Sequence, residues 1–144
     1  MKKTFLLTSG CYILCVVQAY LSMLPMSEEP SSTCWNCSLL REVLVLSVCI
    51  ICIPLVVLLV RKIETRSRLV FSLVCFAAVC SFVDYSVYVS RVASWSTFTF
   101  REELAGTFGH AFPYILASAL LSLPLFQYLR PKLDDTDNQK QPQH

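Results

Sequence analysis

This sequence carries little charge. Only 15% of its 144 residues are Asp, Glu, Lys or Arg, and the net charge is +2. A nucleic-acid binder carries a basic stripe with interleaved aromatics, whereas the cations here stand in short separate groups, so no nucleic-acid partner is expected. No internal repeat is visible. A chain this short, and this apolar, has no room for a soluble domain of ordinary size beside its apolar part. Only residues 134–144 are polar enough to read as a disordered tail, which leaves 1–133 as one domain.

What the chain has in abundance is apolar sequence, 55% of all residues. It falls into four long runs, at about 4–24, 43–60, 69–90 and 109–129. A helix rises about 1.5 Å per residue, so roughly 20 residues cross a hydrocarbon core of about 30 Å. Each run meets or nearly meets that length. The expected fold is therefore an all-α membrane protein, a bundle of four transmembrane helices.

The cations orient it. Lys2 and Lys3 precede the first run, Arg61, Lys62, Arg66 and Arg68 separate the second from the third, and Arg130 and Lys132 follow the fourth. These fall on one side. The other side holds Arg41, Arg91 and Arg101 together with Glu28, Glu29, Glu42, Glu102 and Glu103. The positive-inside rule then makes both termini cytoplasmic and turns the loops at 27–41 and 91–107 outward. The first run has a second reading. Two lysines, the apolar stretch from Phe5 to Val17 and the small-residue pattern Val17-Gln18-Ala19 also describe a secretory signal peptide. Its apolar character continues through Tyr20, Leu21, Met23 and Leu24, which suits a retained span. The two readings leave a mature protein of three helices or of four.

Helices in lipid associate through close packing at small residues. Cys11, Cys15 and Ala19 recur every four residues, as do Ala77 with Ser81 and Ser118 with Ser122, and all are expected at helix contacts. Pro54, Pro113 and Pro124 lie inside runs and should kink them. Of eight cysteines, Cys11, Cys15, Cys49, Cys52, Cys75 and Cys80 sit in apolar runs as small packing residues. Cys34 and Cys37 stand in an outward loop, and in an oxidising compartment they should form a disulfide. Their CxxC spacing also occurs in thiol oxidoreductases, although no βαβ pattern surrounds it here. With no histidine near, two sulfurs do not complete a tetrahedral zinc site, and no metal or other cofactor is expected. Asn36-Cys37-Ser38 matches the glycosylation sequon on the side where glycans are added, so Asn36 is a candidate acceptor.

Asp84 is the one acid well inside a run, about six residues from its outward end. An intramembrane carboxylate is a functional candidate by default, and a structural pairing with Arg91 or His110 is the favoured reading. Tyr85, Tyr88, Trp95 and Tyr114 fit an aromatic belt at the membrane surface. In 94–100, Phe98 and Phe100 alternate with threonines, a pattern for a short β-strand or hairpin arm that would need a partner. Arg101-Glu102-Glu103-Leu104 then reads as a polar turn into the last helix. Trp35, Asp84, Arg91, Trp95, Phe98, Phe100 and His110 are the candidate contact or polar-site residues.

Several of these residues also form a familiar phrase. The stretch from Gly106 through Phe108, Gly109, His110, Phe112 and Tyr114 to Ala117, apolar to Leu129 and closed by Arg130 and Lys132, resembles the peripheral myelin protein, epithelial membrane protein and claudin superfamily. Ser86-Val87-Tyr88-Val89-Ser90-Arg91 is similar to that family's exit into its second outer loop. Trp35 and Cys37 echo its first-loop tryptophan and cysteine motif, and Asn36 stands where relatives often carry a glycan. The resemblance implies a left-handed four-helix bundle with cytoplasmic termini, acting by contact with other membrane proteins. The first outer loop is too short for the extracellular sheet of a claudin, so the resemblance does not extend to paracellular sealing.

The function expected is non-enzymatic: a plasma-membrane protein acting through lateral or cell-cell contacts, in adhesion, at a junction or as an auxiliary subunit. Its partners would be other membrane proteins, including copies of itself, and the lipid bilayer. Retention in the endoplasmic reticulum or an intracellular vesicle is the alternative location. Two other functions stay open, a small channel or transporter component using Asp84, His110, Gln18 and scattered serines, and a thiol oxidoreductase using Cys34 and Cys37.

Overall fold

A computed structural model describes residues 2–34, 36–52 and 65–128. Every regular element among the described residues is helical. Helix α1 spans Lys2–Met23 and runs into a 3-10 turn at Leu24–Met26. Helix α2 spans Leu39–Leu46 and tightens into a 3-10 segment at Ser47–Ile51. Helix α3 spans Thr65–Arg91, a 3-10 turn covers Ala93–Trp95, and helix α4 spans Phe100–Tyr128.

Three segments, Phe5–Met26, Leu69–Trp95 and Phe100–Gln127, are long and apolar enough to cross a membrane. The remaining expected span, 43–60, begins within α2, and from residue 53 onward it lies outside the described residues, as do Pro54, the cations at 61, 62 and the tail at 134–144.

The helices start where short-range chemistry starts them. Ser38 caps α2, its Oγ accepting from Arg41 N at 3.4 Å, and Glu42 adds a carboxylate to the first turn, where the helix dipole favours it. Thr99 and Glu102 form a capping box at α4: the Glu102 carboxylate accepts from Thr99 N and Thr99 Oγ1, each at 2.8 Å. That box corrects two expectations. Phe98 and Phe100 belong to no strand, and Arg101-Glu102-Glu103-Leu104 is the first turn of α4 and not a turn before it. A Thr-x-x-Glu phrase gives the backbone donors of a first turn local partners, and an isolated strand has nothing to offer against that.

Packing follows a helical period. The buried face of α1 runs through Leu7, Cys11, Cys15, Ala19 and Met23, that of α3 through Phe76, Cys80, Val83 and Val87, and that of α4 through Ala111, Ile115 and Phe126. The rings of Phe76 and Phe126 meet edge to face at 6.4 Å. Small residues carry the close approaches, as expected, at Cys11, Cys15 and Ala19 and at the buried Ser118 and Ser122. Ala77 packs against the core while half-buried; Ser81 is half-buried too, and α3 turns Phe76 and Cys80 fully inward beside them. Gly106 lets α3 and α4 touch, since a Cβ there would lie 2.6 Å from Tyr88 Cζ and nearer still to the hydroxyl. Tyr88 is therefore packed against α4 and is no belt residue, whereas Trp95 and Tyr114 stay exposed. Outward faces are largely apolar, with Phe5, Ile13, Val74, Phe82, Phe112 and Leu120 among the side chains left uncovered. Such a surface suits lipid and would be costly in water.

Candidate functional site at the Arg91 end of the bundle

Two groups of polar side chains lie inside this apolar structure. The first is centred on Asp84 in α3, which has no exposed surface. Gln18 Nε2 donates to its Oδ2 at 2.5 Å, and Ser22 Oγ donates to its Oδ1 at 2.8 Å. Gln18 and Ser22 are four residues apart, one turn of α1, so a single helix face delivers both donors. Burying a carboxyl without partners would cost several kcal/mol, on the order of 2–7 for a neutral polar group and more for an ion. The expected pairing of Asp84 with Arg91 or His110 is therefore corrected. Seven residues along a helix is about 10 Å, too far for a direct bond from Asp84 to Arg91, and α1 passes nearer.

The second group is centred on Arg91, 1% exposed at the last turn of α3. Its Nε donates to Glu42 Oε2 at 2.9 Å, an ion pair between side chains that are 1% and 8% exposed. Nη1 donates to the carbonyls of Glu29 at 2.6 Å and Ser27 at 3.3 Å, and Nη2 donates to the Cys37 carbonyl at 3.0 Å. A guanidinium has five N–H donors in a rigid fork, and four are used here on one carboxylate and three loop carbonyls. Glu42 is equally engaged, accepting from Ser31 Oγ at 3.1 Å and from Ser90 Oγ. Two further bonds tie the loop to α3 and to the turn after it: Ser32 N to Ser90 O at 2.7 Å, and Trp95 Nε1 to Pro30 O at 2.8 Å. Arg91 thus holds the segment between α1 and α2 down on the end of α3.

The expected site residues distribute around this centre. Cys34 and Cys37 form a disulfide with Cα atoms 5.3 Å apart, and the Cys37 carbonyl is one of the Arg91 acceptors. Asn36 is exposed in the turn that the disulfide closes. Trp35 lies outside the described residues. Trp95 is half exposed, Phe98 and Phe100 are exposed, and the Phe100 ring stacks edge to face on Tyr85 at 6.4 Å. Tyr85 also donates to Glu103 at 2.9 Å, joining α3 to the first turn of α4. His110 is exposed and lines a cleft beside Arg91. Asp84 stands apart, enclosed by α1 and α3.

Sequence reasoning missed Glu42, taken only as a loop charge, although an acid in the first turn of an apolar helix invites a search for its cation. It also missed Ser22, whose spacing from Gln18 was the available signal. Among the described residues, no cluster of three or more His, Cys, Asp or Glu side chains could hold a metal ion. No protein-family model, curated protein or solved structure matches the chain.

Proposed function

We propose that this chain is a non-enzymatic, four-pass membrane protein with cytoplasmic termini, acting through lateral or cell-cell contacts with other membrane proteins. The observation that carries the reading is where the polar groups go. Inside the bundle most of them are met locally: Asp84 by Gln18 and Ser22, Ser118 by the Ile115 carbonyl at 2.9 Å, and Ser122 by the Ala119 carbonyl at 2.7 Å, while Gln18 Oε1 and Ser47 Oγ are buried with no hydrogen-bond partner among the described residues. Serines that bond back to their own helix line no route for an ion, which weighs against the channel reading. Beside the loop that Arg91 anchors, the connection from α3 to α4 presents Trp95, Phe98 and Phe100, 51%, 43% and 67% exposed, with Trp95 tied to the Pro30 carbonyl of that loop. Aromatics held on an ordered base are the side chains that dominate protein contacts. The superfamily resemblance in the last helix points the same way, and the plasma membrane is the location it implies.

The first helix belongs to this reading as a permanent span. Cleavage after Ala19 would remove Gln18 from Asp84 and strip the buried face formed by Cys11, Cys15 and Ala19. N-terminal sequencing of the mature chain should find the start before Phe5, and a start near Tyr20 would overturn the four-helix reading. Contact is tested by placing a photoreactive amino acid at Phe98 or Phe100 in cells. A discrete adduct of reproducible mass is expected, lost when the other phenylalanine is changed to serine; a chain that stays monomeric and uncrosslinked at both positions argues against the proposal.

A further inference from the structure

A cleft of about 480 Å³ opens at the Arg91 end, between the 3-10 turn after α1, the last turn of α3 and the middle of the first half of α4. Met26, Glu29, Tyr88, Arg91, Trp95 and His110 line it. Its volume lies within the roughly 300–1,000 Å³ common for sites that hold small ligands.

Its position in the bundle is informative. The spans Phe5–Met26 and Leu69–Trp95 both end here. Helix α4 has 29 residues, about 43 Å at 1.5 Å each, and so exceeds a hydrocarbon core of about 30 Å by about 13 Å. Arg101, Glu102 and Glu103 stand in its first turn, which places the excess at this end. His110 lies ten residues into α4, about 15 Å along the axis, and therefore at the boundary between hydrocarbon and headgroups. The cleft opens at headgroup level.

Its charges select among headgroups. Arg91 is already neutralised by Glu42 and, at 1% exposed, is turned to the loop carbonyls. Glu29 adds an exposed carboxylate to the rim. The lining therefore has no strong positive field for a purely anionic ligand. It has donors for a phosphate in His110 and the Tyr88 hydroxyl, and an aromatic face and a carboxylate for a cation in Trp95 and Glu29.

We propose that this cleft binds the headgroup of a zwitterionic phospholipid, the phosphate toward His110 and Tyr88 and the ammonium toward Trp95 and Glu29. The glycerol end would leave along Met26 into the bilayer.

The test uses the full chain in detergent, titrated with short-chain phosphatidylcholine, short-chain phosphatidylglycerol or inorganic phosphate while the thermal midpoint is followed. Phosphatidylcholine should raise the midpoint saturably. Phosphatidylglycerol, which lacks the ammonium, should act about tenfold more weakly, as expected for the loss of about 1.4 kcal/mol of cation contacts. His110→Ala, at an exposed position, should keep the lipid-free midpoint and weaken the phosphatidylcholine response about tenfold. Trp95→Ala, which also loses the bond to the Pro30 carbonyl, should lower the lipid-free midpoint, weaken the phosphatidylcholine response and abolish the preference between the two lipids. Equal responses to the two lipids, a full response to inorganic phosphate alone, or unchanged responses in both variants would overturn the proposal.

Discussion

The two buried polar centres solve the same problem by different means. Around Asp84, one carboxyl meets two neutral donors from a single turn of a single neighbouring helix. Around Arg91, a cation meets an anion, three loop carbonyls bind the same guanidinium, and three segments of the chain converge. The first joins two helices. The second organises a whole end of the molecule, because its guanidinium serves four acceptors from separate segments whereas the Asp84 carboxyl is met by one face of α1. The comparison suggests a division of labour, with Asp84 specifying how α1 sits on α3 and Arg91 giving the loop its shape.

That division is open to measurement. Arg91→Met should have the largest effect. It leaves Glu42 buried without its cation and three carbonyls without a donor, and should cost about 3–5 kcal/mol in unfolding titrations in detergent. Arg91→Met with Glu42→Met should recover part of that loss, since the stranded charge is gone. A single variant no less stable than the parent would remove Arg91 from the centre of this account.

Gln18→Ala should come next, at about 1–3 kcal/mol, because the Asp84 carboxyl then keeps only Ser22. Asp84→Asn should cost less than Gln18→Ala, its amide still able to accept from Ser22 and to bond Gln18 after reorientation. If Asp84→Asn instead proved the costlier and abolished function in a stable protein, the structural role assigned to Asp84 would give way to a chemical one. The smallest expected effect is at the cap of α4. Thr99→Ala should lose about 1 kcal/mol and fray the first turn, seen as faster amide exchange at 100–103 with the buried faces unchanged.

Much of the fold was legible in the sequence. Apolar runs of about 20 residues announce spans because the bilayer demands that length, and three such helices are present. The Cys34–Cys37 disulfide was legible from two thiols outside the apolar runs. The start of α4 was legible too, in Thr99 and Glu102, but an alternation of phenylalanine and threonine over 97–100 masked it. A two-residue period read over four residues is weak, and a cap that satisfies backbone donors outweighs it. The partners of Asp84 and Arg91 were not legible. Gln18 lies 66 positions from Asp84, and Glu42 lies 49 from Arg91. Separations of that size carry no local pattern, and each charge had a nearer candidate that the geometry passed over.

The sequence by itself determined that this chain forms long apolar helices and which residues are small enough to pack. Those are local matters of length, propensity and period. Only the tertiary structure decided which face of α1 meets α3, that Arg91 takes Glu42 and the loop carbonyls in place of Asp84, and that His110, Tyr88 and Trp95 share one cleft. A buried polar group must be satisfied by whatever the packed helices bring within about 3 Å of it, and that distance is set by three helices together.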